Sequence, residues 1–321
     1  MHLQLDFNSF LNTTAALFLM LAVGFAAGKF KIIDSVASKK LSKLILSVAQ
    51  PALIIHSLTK SGYSAEKLKL GTSTFFFGFA LMIFSAAIAY VACLKIKDID
   101  HRKIMEFAMN FGNAGFIGIP ILGSLIGPDG EFMASFFMAT FNIMLWTLGI
   151  AILARKRSDI KLTLKKAFLN FGTIPSLIGF ILFIIPAFFP SFKLPTFTTQ
   201  TLSYISSLCT PISMLIIGAL LATVSLKSFF TSPKIYYVCA VKLFAVPLLV
   251  CAVMKLIGFG NLWIIFATTI SAMPSATAIS MLAELYDMKP GFSAQCVGAT
   301  SLLSIATMPC VIYLAEKIIL L

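Results

Sequence analysis

Apolar residues run along this chain in blocks of about twenty, the length that carries a helix across a bilayer. Ten blocks can be drawn, over 8–28, 41–59, 70–94, 103–127, 131–154, 168–189, 200–224, 234–256, 261–286 and 291–315. The expected fold class is an all-α polytopic membrane protein of ten transmembrane helices. Two of the blocks are interrupted. Residues 110–127 hold two Asn, five Gly and Pro120 within an otherwise apolar run. Gly112 disfavours a helix interior and Pro120 removes a backbone hydrogen bond, so a continuous helix is not expected there. Ser271 to Ser280 repeats the pattern with Pro274, small residues and hydroxyls.

In lipid, backbone groups freed by a break need partners inside the protein or in a water-filled cavity. Two broken spans in corresponding places therefore point to a transporter binding site, the alternative being kinks that serve only helix packing. Two nearly equal shifts along the chain, 160 and then 162 residues, relate the two halves. Pro51 falls on Pro211, with Ile45 on Ile205 and Ser47 on Ser207; Gly112 falls on Pro274, with Asn113 on Ser275, Ala114 on Ala276 and Ile117 on Ile279. Five spans per half is an odd number, so the halves are expected to be inverted repeats. They are 1–154 (helices 1–5) and 168–321 (helices 6–10), joined by a basic connection, 155–167.

Composition and charge agree. Of 321 residues 59% are hydrophobic and 12% charged, which excludes a soluble globule. The first apolar span has no basic residue before it and Lys29 and Lys31 after it, the reverse of a secretory signal, and reads as a retained helix. The net charge of +13 is unevenly placed: 18 of the 25 Lys and Arg lie in or beside the connections 1/2, 3/4, 5/6, 7/8 and 9/10. Basic residues stay in the cytoplasm, so both termini are expected outside. The charge reads as a topology signal, and no nucleic-acid partner is expected. The six cysteines lie in apolar stretches without ligand-like spacing. Neither a metal nor a disulfide framework is suggested.

If spans 4 and 9 cross at their breaks, the second half-helices would start at Asn113, Ala114 and Gly115 and at Ser275, Ala276 and Thr277. Their N–H groups, the Asn113 amide and the two hydroxyls would suit an anion, and a carboxylate in particular. Asn113 and Ser275 could instead simply cap their own helices. The candidate binding residues are Asn110, Gly112, Asn113, Ala114, Gly115, Pro274, Ser275, Ala276 and Thr277, with Asn142 and Lys242. Asn110, Asn142 and Gln50 are polar at depth and could equally bond between helices. Lys242 is the clear intramembrane charge, either facing the cavity or snorkelling. All twelve Asp and Glu lie in connections or within about two turns of a span end. That weakens cation antiport and an intramembrane protease, and no enzyme is expected.

Asn110-Phe-Gly-Asn-Ala-Gly-Phe-Ile-Gly-Ile-Pro-Ile-Leu resembles the fourth-helix motif of the auxin efflux carrier family. Ala272-Met-Pro-Ser-Ala with Ala283-Glu-Leu-Tyr286 resembles its ninth. The stretch around Pro51 and the Pro309 region also fit, and the resemblance covers essentially the whole chain. The short connection between helices 5 and 6 is similar to the prokaryotic branch, which includes malate and malonate permeases. The resemblance implies broken, crossing helices 4 and 9, a scaffold of helices 1, 2, 6 and 7 and a transport domain of 3–5 and 8–10. It also implies carboxylate binding at the crossover, elevator-like alternating access and a homodimer. Gly112 stands where the plant carriers have proline. Their third-helix Asp/Lys pair and the crossover Glu of the bile-acid symporters have no counterpart here. No cofactor is expected, and the coupling ion, H⁺ or Na⁺, is left open. The expectation is a secondary transporter of small organic anions in the inner or plasma membrane. An anion channel or uniporter, or a non-transporting sensor or lipid-binding protein, stands as the alternative.

Overall fold

The protein is described by a computed structural model over residues 6–157, 169–170, 172–223 and 232–320. Helix starts follow the polar residues that precede them. The Asp6 carboxylate accepts the Ser9 N–H at 2.8 Å to open α1, Phe7–Lys29, and Asp34 accepts the Ala37 N–H at 2.7 Å to open α2, Ser35–Leu44. Beyond a π-turn, Ile45–Ala49, lies α3, Gln50–Lys60. Ser64 caps α4, Ala65–Ala92, and Asp98 caps α5, Ile99–Asn110. Asp98 also bonds His101 at 2.8 Å, which holds its carboxyl well below the usual carboxylate range.

A second π-turn, Ala114–Gly118, leads into α6, Ile119–Ile126, followed by α7, Pro128–Met144, a third π-turn, Leu145–Gly149, and α8, Ile150–Ala154. Then come α9, Thr173–Phe188, α10, Thr196–Ser207, and α11, Cys209–Thr223. Next, α12, Pro233–Ala240, passes through a π-turn, Val241–Ala245, into α13, Val246–Ile257. The chain ends in α14, Asn261–Ala272, α15, Ala278–Leu285, and α16, Pro290–Leu320. Of the four π-turns among the described residues, three stand just before Pro51, Pro120 and Pro247. A proline lacks the N–H and crowds the carbonyl four residues back, so the ladder widens by one residue ahead of it. The turn at Leu145–Gly149 has no proline, and nothing in the structure explains it.

Among the described residues, seven helical runs are long and apolar enough to cross a membrane: Phe7–Lys29, Val36–Lys60, Ala65–Ala92, Pro128–Ala154, Thr196–Ala222, Pro233–Ile257 and Pro290–Ile319. They fall on expected spans 1, 2, 3, 5, 7, 8 and 10. Spans 4, 6 and 9 hold shorter apolar helices, Ala114–Ile126, Thr173–Phe188 and Asn261–Ala272, two of them because their spans are broken. The protein is a multi-pass, all-helical membrane protein, with no strand among the described residues. The apolar window of Pro128–Ala154 is 67% buried against 28% in Phe7–Lys29, so the fifth span runs through the centre and the first lies at the periphery of the chain. Most of the expected connection 155–167, with Lys161, Lys165 and Lys166, lies outside the described residues.

Without a hydrophobic drive between helices in lipid, close backbone approach and polar contacts hold them together. Helix α1 packs on α11 through glycines: a Cβ at Gly218 would fall 2.0 Å from the Leu21 carbonyl oxygen, and one at Gly24 2.3 Å from that of Leu215. Helix α4 meets α7 at Gly71, against the Phe136 ring, and the Thr140 hydroxyl donates to the Phe75 carbonyl at 2.7 Å. In the second half of α5, Glu106 is 2% exposed and accepts from Arg102 and Arg155, whose guanidiniums lie over the Tyr90 ring. All six cysteines are free and five are buried.

The α1–α11 contact admits no added atom, because its neighbours are backbone. Gly218→Ala is expected to force these helices apart and to lower the detergent melting temperature by several degrees, whereas Gly260→Ala, in open space, should leave it unchanged.

Candidate functional site

The two breaks have local causes. Helix α5 stops at Asn110, Phe111 is extended at φ −88° and ψ 110°, and Asn113 takes φ −78° and ψ 57°. That conformation is an inverse γ-turn, closed by the Ala114 N–H donating to the Gly112 carbonyl at 2.9 Å. In the other span α14 stops at Ala272. Met273 takes φ −58° and ψ 144°, the extended backbone required before Pro274.

The breaks meet one another. Gly112 and Ser275 form an antiparallel bridge in which the Asn113 N–H donates to the Pro274 carbonyl and the Ala276 N–H to the Phe111 carbonyl, both at 2.8 Å. The Ser275 hydroxyl donates to the Ala108 carbonyl at 2.8 Å, taking up an end carbonyl of α5, and the Ser275 N–H donates to Thr300 Oγ1 at 3.1 Å. Gly112 fits because a Cβ there would stand 3.1 Å from the Met273 Cβ and 3.3 Å from both the Ile270 carbonyl oxygen and Lys242 Nζ. Pro274 and Ala276 are thus held in the bridge. The second half-helix begins at Ala278, after Thr277, rather than at Ser275, because Ser275 and Ala276 are extended into the bridge.

The expected anion donors sort into two groups. The backbone N–H groups of Asn113, Ala114, Ser275 and Ala276 and the Ser275 hydroxyl are all engaged. Neither Asn113 nor Thr277 caps its helix with its side chain. Both amide atoms of Asn110, the Asn113 Nδ2 and the Ser271 hydroxyl are buried without a partner. Lys242 is 1% exposed, and among the described residues it makes no ion pair or hydrogen bond. It does not snorkel to a membrane surface. Its place against Gly112 follows from the π-turn that carries it.

Gln50, read from the sequence only as polar at depth, reaches Gly115, where a Cβ would stand 3.1 Å from Gln50 Nε2. The sequence signal for it was its position beside Pro51. Asn142 turns elsewhere: its Nδ2 donates to the Met138 carbonyl at 2.7 Å, and its side chain fills the space beside Gly172. Ser85 was not singled out by sequence, and Ser271 was marked only as the start of the second broken stretch. With Asn110, Gly112 and Ala114 they line a cavity of about 10 Å³, room for about one water. A wider cleft of about 450 Å³ lies between α3, α6, α7 and α10, lined by His56, Pro120, Glu131, Ser203 and Ser207 among others. Among the described residues no three His, Cys, Asp or Glu come together as metal ligands.

A fold of apolar membrane-spanning helices agrees with what comparison with known proteins finds. The membrane transport protein family matches residues 9–312. The chain belongs to this family. Its resemblance to auxin efflux carriers is thereby borne out, and it is a membrane transporter rather than an enzyme. Among relatives, an uncharacterized transporter of Methanocaldococcus jannaschii is 29% identical over 65% of this chain and 68% of its own. An uncharacterized transporter of Methanothermobacter thermautotrophicus is 22% identical over 92% of this chain and 95% of its own. A Rhizobium meliloti protein named "Putative malonate transporter" is 22% identical over 86% of this chain and 87% of its own.

The bridge geometry assigns Ser275 a structural part in this membrane transport protein. Ser275→Ala removes a donor from a buried carbonyl and is expected to destabilise by about 1–3 kcal/mol, with Ser275→Thr closer to the parent. Thermal melting of the purified variants checks this; an unchanged midpoint for the alanine variant would contradict it.

Proposed function

We propose that this chain is a secondary transporter of small organic anions, with the substrate carboxylate held where the two broken helices meet. The observation that carries this reading is the set of buried, unpartnered polar groups there, Asn110, Asn113 and Ser271, beside the Lys242 amine. Leaving such groups unpaired costs about 1–3 kcal/mol each, and apolar side chains would avoid it. A carboxylate is an acceptor, and these groups offer amide, hydroxyl and ammonium donors. The relative named as a malonate transporter would carry an anion of this class.

In this reading the three shorter apolar helices complete ten spans, arranged as inverted repeats 1–154 and 168–321, with spans 4 and 9 crossing at the bridge. Helices 1, 2, 6 and 7 form a scaffold and 3–5 with 8–10 an elevator-like transport domain, in a homodimer of the cell membrane with both termini outside. The packing supports that division, since α1 lies on α11, α3 on α9 and α10, and α4 on α7. Two ion pairs join the ends of span 2 to the other group, Lys39 to Glu284 at 3.1 Å and Lys60 to Glu131 at 3.3 Å. Each pair unites residues that the charge bias puts on the same side of the membrane. The site cavity of about 10 Å³ is too small for any carboxylate, so loading requires the two groups of helices to part. The 450 Å³ cleft beside Pro120 is the outer approach.

Asn113→Ala is expected to weaken binding of the best carboxylate by about ten- to a hundredfold, the loss of one hydrogen bond to a charged group, with little change in melting temperature. Calorimetry and melting on the same sample decide: a lower melting temperature with affinity within about twofold would make Asn113 a structural residue. For topology, Lys156→Cys should react with an impermeant thiol reagent only from the cytoplasm and Asp129→Cys only from outside. The reverse labelling, or both from one side, would end the ten-span arrangement.

A further inference from the structure

We propose that Lys242 carries a coupling proton, so that each substrate anion crosses the membrane together with one proton held on the Lys242 ε-amine. This rests on the carboxylate site proposed above. Lys242 is 1% exposed, and its Nζ stands 3.3 Å from where a Gly112 Cβ would be, directly behind the bridge between the two breaks. It occupies a π-turn, Val241–Ala245, a backbone irregularity frequent at functional positions.

No carboxylate on the elements packed against this turn is placed to neutralise Lys242. Those elements are α5, α12, α13, α14 and α16. Helix α14 carries no ionisable side chain. On α5, Asp100 is paired with Lys103, Glu106 is enclosed by Arg102 and Arg155, and His101 bonds Asp98 at the helix start. On α12 the ionisable groups are Lys234, Tyr236, Tyr237 and Cys239, and on α13 they are Cys251 and Lys255. Helix α16 holds Cys296, Cys310, Tyr313, Glu316 and Lys317. Its one carboxylate, Glu316, lies about 24 Å along the helix from Thr300, which bonds the bridge at Ser275.

An ammonium in this interior without an anion beside it is strongly disfavoured, whereas a neutral amine, or an ammonium against a carboxylate, is tolerated. The carrier therefore crosses between its two open forms in two states. With substrate bound, the amine has taken a proton from the medium on the loading side and pairs with the carboxylate. On release the anion leaves, the ammonium gives its proton to the medium on that side, and the empty carrier returns with a neutral amine. One proton moves with each anion in whichever direction the gradients drive.

The test uses proteoliposomes of the full chain, radiolabelled malonate as the probe, and voltage clamped at zero. For the parent protein, each unit of pH difference, acid outside, is expected to drive about tenfold accumulation, with alkalinisation of the outer medium as malonate enters. Lys242→Arg keeps its charge at every accessible pH. It should still exchange malonate across the membrane but lose net uptake at least tenfold, because its empty form cannot return. Accumulation by the parent that ignores the pH gradient overturns the proposal, as does net uptake by the arginine variant equal to its exchange. Should the arginine variant not fold, Lys242→Gln replaces it: loss of the gradient's effect supports the proposal, and gradient-driven accumulation overturns it. A parent protein that neither binds nor moves any carboxylate in a thermal-shift and uptake screen would instead refute the site itself, and this proposal with it.

Discussion

A polypeptide in a water-free interior has to satisfy its own backbone, and that requirement shapes this protein at its centre. Two spans are broken by Gly112 and Pro274, and each break frees N–H and C=O groups that neither lipid nor water can take up. The solution is mutual: Asn113 bonds Pro274, Ala276 bonds Phe111, and the Ser275 hydroxyl takes the Ala108 carbonyl. Neither break is tolerable without the other, which is why the two occur together. Much else follows from fixing that point. Gly112 allows the close approach of Met273 and Lys242, Thr300 brings α16 against the bridge, and the widened turn before Pro247 sets where Lys242 emerges.

The breakers themselves were legible in the sequence, because Gly, Asn and Pro inside an apolar run have few other meanings in a membrane. Seven spans were legible from length and hydropathy alone. The hydrogen-bond assignment was not. From sequence, backbone N–H groups at the half-helix starts and the Ser275 hydroxyl looked available to an anion; in the structure those of Asn113 and Ala276 and the Ser275 hydroxyl bond across the bridge, that of Ser275 bonds Thr300, and that of Ala114 closes a turn onto Gly112. Pairing between segments more than 160 residues apart leaves no local trace in either segment. The same reason hides Gln50, whose reach to Gly115 depends on how span 2 packs, and separates Asn142, equally polar and equally deep, which turns to Met138 and Gly172 instead. Lys242 was visible as a charge at depth. Its facing was decided by the π-turn, which a reading at the ordinary helical period does not anticipate.

Charge placement shows how the protein separates structure from chemistry. Glu106 is as deeply buried as the site residues, yet it is tied by Arg102 and Arg155 near a helix end, where it binds α5 to the end of α8. Lys103 has Asp100 and Lys289 has Asp98 in the same region. Against this ordered set, Lys242 stands out as a buried charge-bearing group with no acid beside it among the described residues. The buried charges Lys103 and Glu106 are thus paired, and pairing is withheld from Lys242 at the centre.

Withholding it has a physical consequence for how such a site can work. A fully satisfied centre would be rigid and would have no affinity left for an anion; a centre with many unpaired groups would not fold. Here the backbone is satisfied by the bridge, while the side chains of Asn110, Asn113 and Ser271 are not. Under the proposed function, stability and binding fall to different atoms of the same few residues, Asn113 most clearly, since its N–H holds the bridge and its side-chain amide nitrogen does not. Under the proposed function this lets a substrate exchange at the centre without unmaking the contact between the two breaks. The bridge can then move as one unit with its half-helices. A site built from backbone donors at the breaks would have had to open the bridge each time an anion left.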